Sequence, residues 1–484
     1  NLAEPLAQHA RARPDKPALV HGEHVVSYRE LNDLVDRSAA HLLDRGVRAG
    51  DVVALSLADT IEHVVLLFAL ARAGVVMLPL DWRWNAAEQE RVGRHFGAKL
   101  ILTEFNAAPV CDVPCMPVDD AWHAAVANSD SSRSWPVGDG PLLMSLSSGT
   151  TGRPKGPRLT HYQFLRRFWV QWINLGFNSQ DRFISATPLY FGGGRTYVML
   201  MLYSGATVFL FPPPYELPAL VAAIARSRAS VVFLVPTLLR RLLALTDAEL
   251  APLRAMRLVF SSGSALHTEE RLEIRARICP RFIEYYSSTE GGGVSFLTAD
   301  EMDAHGDSVG RPVFAVDVEC VDELHRPLPA GEVGRIRYRG PAVADGLWND
   351  PEASREAFRD GWYYPGDLGM LDAAGYLHLR GRAKDMIIRG GINIYPADVE
   401  AVLQSHPAVT ESAVVGWPSR EFNEEVAAFV IARAAVTAAE LRDHCKPRLA
   451  SYKVPRDVFI VTELPRNTLG KIVKTELVAR LPQL

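Results

Sequence analysis

Residues 142–156 read LLMSLSSGTTGRPKG, an apolar run that leads directly into a loop of glycine, serine and threonine. Glycines let backbone N–H groups approach an anion closely, hydroxyl groups add donors, and a lysine adds positive charge, so this loop is typical of phosphate binding. A Walker A loop is excluded, because here Pro154 precedes the lysine and Gly156 follows it. The residues expected to hold phosphate are Ser148, Gly149, Thr150, Thr151, Gly152 and Lys155.

Around this loop, segments with helical periodicity alternate with short apolar runs. Residues 28–45 have helical periodicity, and the apolar runs that predict strands are 52–57, 75–80, 142–146, 182–186, 207–211, 231–235 and 257–260. This alternation predicts an α/β fold of layered, largely parallel sheets.

The sequence pattern changes at two points along the rest of the chain. From about residue 316, short β-rich pieces at 317–321, 334–338 and 375–379, with Gly and Pro turns, predict a smaller β-rich subdomain over 316–383. After Gly381-Arg382-Ala383-Lys384, about one hundred residues predict a compact α+β unit, with helices over 399–403 and 438–445 and strands over 411–416 and 425–431. We therefore expect an N-terminal domain over 1–383 and a C-terminal domain over 384–484.

Composition limits the possible partners of the protein and the cellular compartment in which we expect it. The formal net charge of −4, with scattered Lys and Arg, disfavours nucleic acid as a partner. Five cysteines suit reduced thiols better than a disulfide framework. The most apolar stretch, 61–80, contains Glu62, His63 and Arg72, which favours a buried helix and strand over a membrane span. A cytoplasmic protein is expected.

Four further motifs follow the phosphate loop in order. They are Tyr286-Ser287-Ser288-Thr289-Glu290, Tyr364-Pro365-Gly366-Asp367, Gly381-Arg382-Ala383-Lys384-Asp385 and Pro465-Arg466-Asn467-Thr468-Leu469-Gly470-Lys471. Together the five motifs cover most of the chain and resemble those of the adenylate-forming superfamily, which contains acyl-CoA synthetases, nonribosomal peptide synthetase adenylation domains and beetle luciferases.

The resemblance implies a large α/β N-terminal domain with a small, mobile C-terminal domain. It implies that ATP activates a small-molecule carboxylic acid as an acyl-adenylate, with Mg²⁺ as the metal and coenzyme A as the acyl acceptor. An acceptor on a carrier protein, which presents the same pantetheine group, remains the alternative. A non-catalytic relative is disfavoured because Lys155, Glu290 and Lys471 are all present.

The resemblance also assigns roles to residues. Thr289 would contact the α-phosphate, Glu290 and Thr150 would hold the metal, and Lys471 would be the catalytic lysine. The adenosine would be bound by Tyr286, Ser262, Gly263, Ser264, Asp367 and Arg382. Lys384 would be the hinge, and Gly390 and Gly391 would line the pantetheine channel, although a simple turn also explains two adjacent glycines.

The acid is expected beside Tyr190, Phe191, Gly192, Gly193, Arg195 and Ser287. Ser287 replaces a glycine of the family pattern, and Phe191 replaces a histidine that many relatives carry. Gly192, Gly193 and Gly194 either open the pocket or start a helix in close backbone contact. Arg195 either pairs with a second carboxylate or faces outward from a helix, and the outward orientation is favoured. An α-amino acid is disfavoured, because 191–203 contains no aspartate.

Overall fold

The computed structural model describes residues 1–104, 112–136, 138–146, 155–466 and 471–481. It divides into two compact units. The first contains Asn1–Ala304, Pro312–Asp317 and Arg339–Tyr363, and the second contains His305–Arg311, Val318–Tyr338 and Tyr364–Leu484. The β-rich segment 316–383 contributes to both units. The domain boundary near Lys384 stays a prediction.

The helices of the described residues are numbered in chain order. They are α1 (Glu4–Ala12), α2 (Tyr28–Asp44), α3 (Ile61–Ala73), α4 (Ala86–His95), α5 (Asp120–Ala127), α6 (His161–Leu175), α7 (Gly192–Tyr203), α8 (Leu217–Ser227), α9 (Pro236–Leu242), α10 (Asp247–Arg254), α11 (Thr268–Glu273), α12 (Met302–His305), α13 (Pro351–Ala357), α14 (Pro396–Gln404), α15 (Ala438–Cys445) and α16 (Lys474–Val478).

The strands of the described residues are numbered in the same way. They are β1 (Pro17–His21), β2 (His24–Ser27), β3 (Val52–Ser56), β4 (Val76–Pro79), β5 (Ala98–Thr103), β6 (Cys115–Pro117), β7 (Pro141–Met144), β8 (Arg158–Thr160), β9 (Arg182–Ser185), β10 (Thr207–Leu210), β11 (Val231–Phe233), β12 (Leu258–Ser261), β13 (Phe282–Ser288), β14 (Gly292–Leu297), β15 (Arg311–Pro312), β16 (Asp317–Val321), β17 (Gly334–Arg339), β18 (Phe358–Arg359), β19 (Trp362–Tyr363), β20 (Asp367–Leu371), β21 (Leu377–Arg382), β22 (Ile387–Arg389), β23 (Ile392–Ile394), β24 (Val409–Ser419), β25 (Asn423–Ala432) and β26 (Asp457–Ile460).

Two sheets with parallel centres form the frame of the first unit. One contains, in order, β14-β13-β12-β11-β9-β10-β1-β2, and the other has the order β6-β5-β3-β4-β7-β8. Neighbours are parallel from β13 through β1 and from β6 through β7, whereas β14, β2 and β8 pair antiparallel with β13, β1 and β7. Since parallel strands present their carboxyl ends at one edge of a sheet, the segments that follow β3, β4, β9 and β12 lie where ligands usually bind.

Local sequence explains the helix ends. Ser27 and Glu30 form a capping box at the start of α2, and Thr160 with Gln163 does the same for α6. Helix α3 is buried on every side, as the apolar stretch 61–80 predicts, and it ends at Gly74 in the left-handed conformation. No helix in the described ranges is long and apolar enough to cross a membrane.

The second unit contains two antiparallel pieces. Strands β17, β20 and β21 pair in that order, with β16 beside β17. The last hundred residues form the sheet β23-β22-β25-β24, with β26 parallel to β25. Side chains of β24 alternate between its faces, so that Val414 packs in the core that contains Val399 and Leu441, while Val415 packs with Leu477 on the other face. The predicted α/β fold with a smaller α+β C-terminal unit is confirmed.

A buried ion pair joins α11 to β13 in the first unit. Arg271 and Glu284 are each 4% exposed and hydrogen-bonded to each other. Burial raises the pKa of Glu284, and Arg271 opposes that rise. The Arg271–Glu284 pair therefore places two buried, opposite charges beside β13, the strand that leads into the Tyr286–Glu290 motif.

We expect Arg271→Met to lower the free energy of unfolding by about 3–5 kcal/mol, because it leaves a buried carboxylate without its cation. The double variant Arg271→Met/Glu284→Leu should lose less unfolding free energy than Arg271→Met alone. Arg275→Met, which breaks a more exposed pair with Asp303, should cost under about 1 kcal/mol. Urea denaturation followed by tryptophan fluorescence measures all three, and equal losses for Arg271→Met and Arg275→Met would contradict the account.

Candidate active site

Three loops of the first unit meet beside the segment predicted to bind the acid. Asp59 follows β3, Asp81 and Arg83 follow β4, and Leu189 with Tyr190 follows β9. The carboxylate of Asp59 accepts the N–H of Leu189 at 2.5 Å. Arg83 donates to Asp81 through Nε at 2.9 Å and Nη2 at 2.7 Å, and it also donates to the hydroxyl of Tyr190. These contacts fix Tyr190 at the carboxyl edge of both sheets.

Burial shifts two acidic groups of this cluster. The pKa of Asp59 is raised to about 6, chiefly by burial and also by Asp81, although the Leu189 N–H opposes the rise. Burial likewise raises the pKa of Tyr190 to about 12. The Tyr190 hydroxyl therefore stays protonated at neutral pH, and Asp59 takes up a proton below about pH 6.

The start of α7 explains two of the three consecutive glycines. A Cβ on Gly194 would lie 2.2 Å from the carbonyl oxygen of Pro188, and a Cβ on Gly193 would lie 2.7 Å from the ring of Phe233. A Cβ on Gly192 would meet no atom within 4 Å. Close packing therefore requires glycine at 193 and 194, and open space lies only beside Gly192.

Arg195 is buried, with 2% of its surface exposed, so the favoured outward orientation is wrong. Helix α7 is covered by its neighbours at this point, and the side chain turns back to donate through Nη1 to the carbonyl oxygens of Leu189, at 3.3 Å, and Tyr190, at 3.1 Å. Burial lowers the pKa of Arg195 to about 10. Its Nε has no hydrogen-bond partner among the described residues.

The predicted adenine wall and the predicted stacking tyrosine lie on adjacent strands. Ser262, Gly263 and Ser264 follow β12, and Gly263 has φ +113°, a conformation that favours glycine. Tyr286 lies on β13 opposite Ser295. Ser287, which replaces the family's glycine, lies at a register shift in β13, and its hydroxyl is 2.9 Å from that of Ser262. The replacement thus links the ends of the two strands.

Thr289 and Glu290 lie at the tip of the β13–β14 hairpin. The carbonyl oxygen of Glu290 accepts the N–H of Ala344 at 2.9 Å, and Arg167 donates to the carbonyl oxygens of both tip residues. The carboxylate of Glu290 has no hydrogen bond or ion pair with any residue that the structure describes. A carboxylate held by its main chain with its oxygens available has the chemistry of a Mg²⁺ ligand.

The phosphate loop is only partly described. Ser148, Gly149, Thr150, Thr151 and Gly152 lie outside the described residues. The Nζ of Lys155 lies 3.1 Å from the carboxylate of Asp350, the residue that caps α13. A Cβ on Gly156 would lie 2.0 Å from the carbonyl oxygen of Ser145, so glycine is required where the chain leaves the loop.

The second unit brings two of its predicted residues together. Asp367 and Arg382 are opposite each other in β20 and β21, and the Arg382 Nε lies 3.0 Å from the Asp367 carboxylate. Arg382 also donates to the carbonyl oxygen of Pro365 at 2.6 Å. A partly exposed carboxylate held this way can accept hydrogen bonds from a diol, as the predicted ribose contact requires.

The remaining predicted residues of this unit are exposed. Gly390 and Gly391 form the turn between β22 and β23, with φ +57° and +83°, so the turn conformation alone requires glycine at both positions. Lys384 lies in the short 3₁₀ helix Ala383–Asp385. Lys471 is exposed, next to Ile472, which pairs with Arg466. Their roles stay predictions.

The sequence did not reveal several residues that organise the site. Asp59, Arg83, Arg167 and Asp350 belong to none of the five motifs, and each acts on a residue distant in the chain. No local pattern distinguishes them from solvated surface charges.

Comparison with known proteins identifies the family. Residues 6–348 match the family model described as AMP-binding enzyme, and residues 398–471 match the AMP-binding enzyme C-terminal domain. A feruloyl-CoA synthase from an Amycolatopsis species is 33% identical, over 97% of this chain and 96% of that protein.

Two solved structures are similar over almost the whole chain. ATP-bound MatB from Rhodopseudomonas palustris has a TM-score of 0.90 and 30% identity, covering 99% of this chain and 98% of that chain. The o-succinylbenzoate CoA synthetase MenE from Bacillus subtilis, in complex with an acyl-adenylate, has a TM-score of 0.88 and 28% identity, covering 98% and 97%. The same synthetase is also known with ATP and a magnesium ion.

The chain therefore belongs to the AMP-binding enzymes, the adenylate-forming superfamily. Within that superfamily its activity is that of an AMP-forming acid–thiol ligase. It uses ATP to convert a small-molecule carboxylic acid to an acyl-adenylate with release of pyrophosphate, and it then transfers the acyl group to coenzyme A.

The buried Asp59 predicts a pH-dependent stability. Its pKa rises from 3.8 to about 6 on folding, so the folded protein binds the proton more tightly, and wild-type stability falls as the pH rises from about 4 to about 6. Asp59→Asn keeps an acceptor for Leu189 without the charge. Above pH 6.5 we expect this variant to be more stable by about 2–3 kcal/mol, with no difference near pH 3.5. Urea unfolding across this range measures the effect, and a pH-independent difference would contradict it.

Proposed function

We propose that the enzyme activates an acid that carries an aromatic ring, and that the two half-reactions use different residues of the second unit. The observation that carries the acid class is the pair of phenyl rings that pack at Gly193, next to Gly192, where a Cβ would meet no atom. Phe191 precedes Gly192, and its ring and that of Phe233 would both be within 3.1 Å of a Cβ on Gly193. Flat aromatic rings favour stacked or edge-on contact with another ring.

The charges around this segment disfavour a second carboxylate on the acid. Arg83 is paired with Asp81, and Arg195 donates to two main-chain carbonyl groups. Asp59 and Asp81 add negative charge nearby. A distal carboxylate would therefore have to displace one of these partners or reach the buried Nε of Arg195, which costs more than an aromatic ring packing on the same surface. The similar feruloyl-CoA synthase is named for an aromatic acid, which also supports the proposal.

The adenylation step brings a carboxylate to a polyphosphate, so positive charge and fixed geometry must supply most of the catalysis. Glu290 would hold Mg²⁺, which neutralises phosphate charge when bound. Thr289 and Lys155 would contact the phosphates, Tyr286 would stack on adenine, and Asp367 would accept the ribose hydroxyls. Thr150 would be a second metal contact. Lys471 would bridge the acid and the α-phosphate.

The thioester step requires a narrow path for a thiol. Gly390 and Gly391 would line that path after the C-terminal domain turns about Lys384. Exposed apolar side chains flank these glycines, since Ile388 is 40% exposed and Ile392 is 44% exposed. Such a surface suits the pantetheine arm, which is largely uncharged. A carrier-protein pantetheine would use the same path.

A pyrophosphate-release screen with ATP and magnesium tests the acid class. We expect hydroxycinnamate and benzoate to give kcat/KM values at least about 10-fold above those of octanoate and succinate. Omission of coenzyme A should reduce release to about one turnover, because the adenylate stays bound. Preference for succinate would contradict the acid class. Pyrophosphate release without any acid would contradict the proposed function. Turnover only with a carrier protein would show that the carrier protein, and not coenzyme A, is the acyl acceptor.

Two variants separate the half-reactions. Lys471→Ala should lower acid-dependent ATP–pyrophosphate exchange by about 10²-fold or more, and it should leave thioester formation from supplied acyl-adenylate within about 3-fold of wild type. Gly391→Leu should lower thioester formation and leave ATP–pyrophosphate exchange near the wild-type rate, because a bulky side chain obstructs the thiol without touching the phosphates. Equal loss of both half-reactions in either variant would contradict its assigned role.

Matched controls isolate these effects. Lys446→Ala removes an exposed lysine from the same unit. Gly375→Leu introduces the same side chain at another turn of the second unit, where φ is also +83° and a Cβ would meet no atom within 4 Å. Both controls should retain both half-reactions, so that turn strain and loss of charge are excluded as causes.

A further inference from the structure

Arg167 connects α6 to the tip of the β13–β14 hairpin in the first unit. The residue is 8% exposed, and its guanidinium donates to three main-chain carbonyl groups. Nη1 donates to Thr289 at 2.9 Å, Nη2 to Glu290 at 2.7 Å, and Nε to Ala342 at 3.1 Å. Two of these acceptors belong to the residues predicted to contact phosphate and metal.

The hairpin is shaped to admit this side chain. Gly292, directly after the tip, has φ +77°, and a Cβ there would lie 3.3 Å from the Arg167 Cγ. The Ala344 N–H donates to the same Glu290 carbonyl oxygen as Arg167. The main chain of the tip is thus held from two directions, while the Glu290 carboxylate has no partner among the described residues.

Arginine suits this task because its planar guanidinium presents several donors in fixed directions, and charge-assisted hydrogen bonds are stronger than neutral ones. A lysine in the same place offers a flexible point charge that cannot satisfy three diverging carbonyl groups with one geometry. Loss of the guanidinium frees the tip to move relative to α6. A displacement of about 1 Å in a group that positions a metal can cost about 10²-fold in rate.

We propose that Arg167 is a positioning residue of the adenylation half-reaction, which acts through the main chain of Thr289 and Glu290. It touches neither substrate. It sets where the Thr289 hydroxyl and the Glu290 carboxylate stand, and so it controls how effectively the metal-bound triphosphate is held for attack. This inference rests on the roles proposed above for Thr289 and Glu290.

The test compares Arg167→Met, Arg167→Lys and Glu290→Gln in both half-reactions. Arg167→Met should lower kcat/KM for adenylation by about 10²-fold and raise the Mg²⁺ concentration for half-maximal rate, as Glu290→Gln does. Arg167→Lys should retain the fold and lose about 10-fold. Thioester formation from supplied acyl-adenylate should stay within about 3-fold of wild type in each variant.

The neighbouring arginine on the same helix is the matched control. Arg166 donates to the Pro341 carbonyl oxygen and lies over the Tyr162 ring, without bonding to the hairpin tip. Arg166→Met also removes one positive charge from α6, so its adenylation rate should stay within about 2-fold of wild type, with an unchanged Mg²⁺ dependence.

A double-mutant cycle decides whether Arg167 acts through Glu290. In the Glu290→Gln background, Arg167→Met should cost about 10-fold or less, because the Thr289 hydroxyl is then the only one of the two groups left for it to position. A full additional loss of about 10²-fold, or equal damage to both half-reactions, would overturn the proposal. An unchanged Arg167→Met enzyme would overturn it while leaving the proposed function intact. Absence of adenylation by the wild-type protein would instead overturn the proposed function.

Discussion

Attack of a carboxylate on the α-phosphate of ATP forces two anions into contact, and the arrangement of the first unit follows from this constraint. Charge must be neutralised, and the groups that neutralise it must stand in fixed places before the reaction begins. Several buried polar side chains serve the second requirement. Arg167 and Arg195 bond to main-chain carbonyl groups, and Asp59 accepts a main-chain N–H. They fix the loops, and the loops carry the groups that are predicted to meet the substrates.

Elements with a strong local pattern could be predicted from the sequence. The apolar stretch 61–80 gives the buried helix α3 and strand β4, and the predicted helix over 438–445 has the observed bounds of α15. The strand predicted at 375–379 starts later, at Leu377, because Gly375 has φ +83° and belongs to a turn. Periodicity indicates which residues face a core, but it does not show where a turn ends and pairing begins.

The candidate site likewise contains residues that could be predicted from the sequence and residues that could not. The five motifs identified the family because their order is distinctive, and the site residues then followed by resemblance. Residues such as Arg167 were missed, since its acceptor on Ala342 lies 175 positions away and an arginine on an amphipathic helix is usually solvated. The reasons for the glycines at 193, 194 and 390–391 also needed coordinates. Close backbone contact explains the first pair and positive φ explains the second, and neither can be read from composition.

The central claim is that the acid's own oxygen becomes bonded to the α-phosphorus of ATP. The most direct measurement is to supply an accepted acid labelled with ¹⁸O in both carboxylate positions, together with ATP, magnesium and coenzyme A, and to analyse the nucleotide by mass spectrometry. The account predicts AMP that carries one ¹⁸O, because the mixed anhydride breaks at the carbonyl carbon when the thiol attacks. Unlabelled AMP, or label found in inorganic phosphate with ADP as the nucleotide, would contradict it.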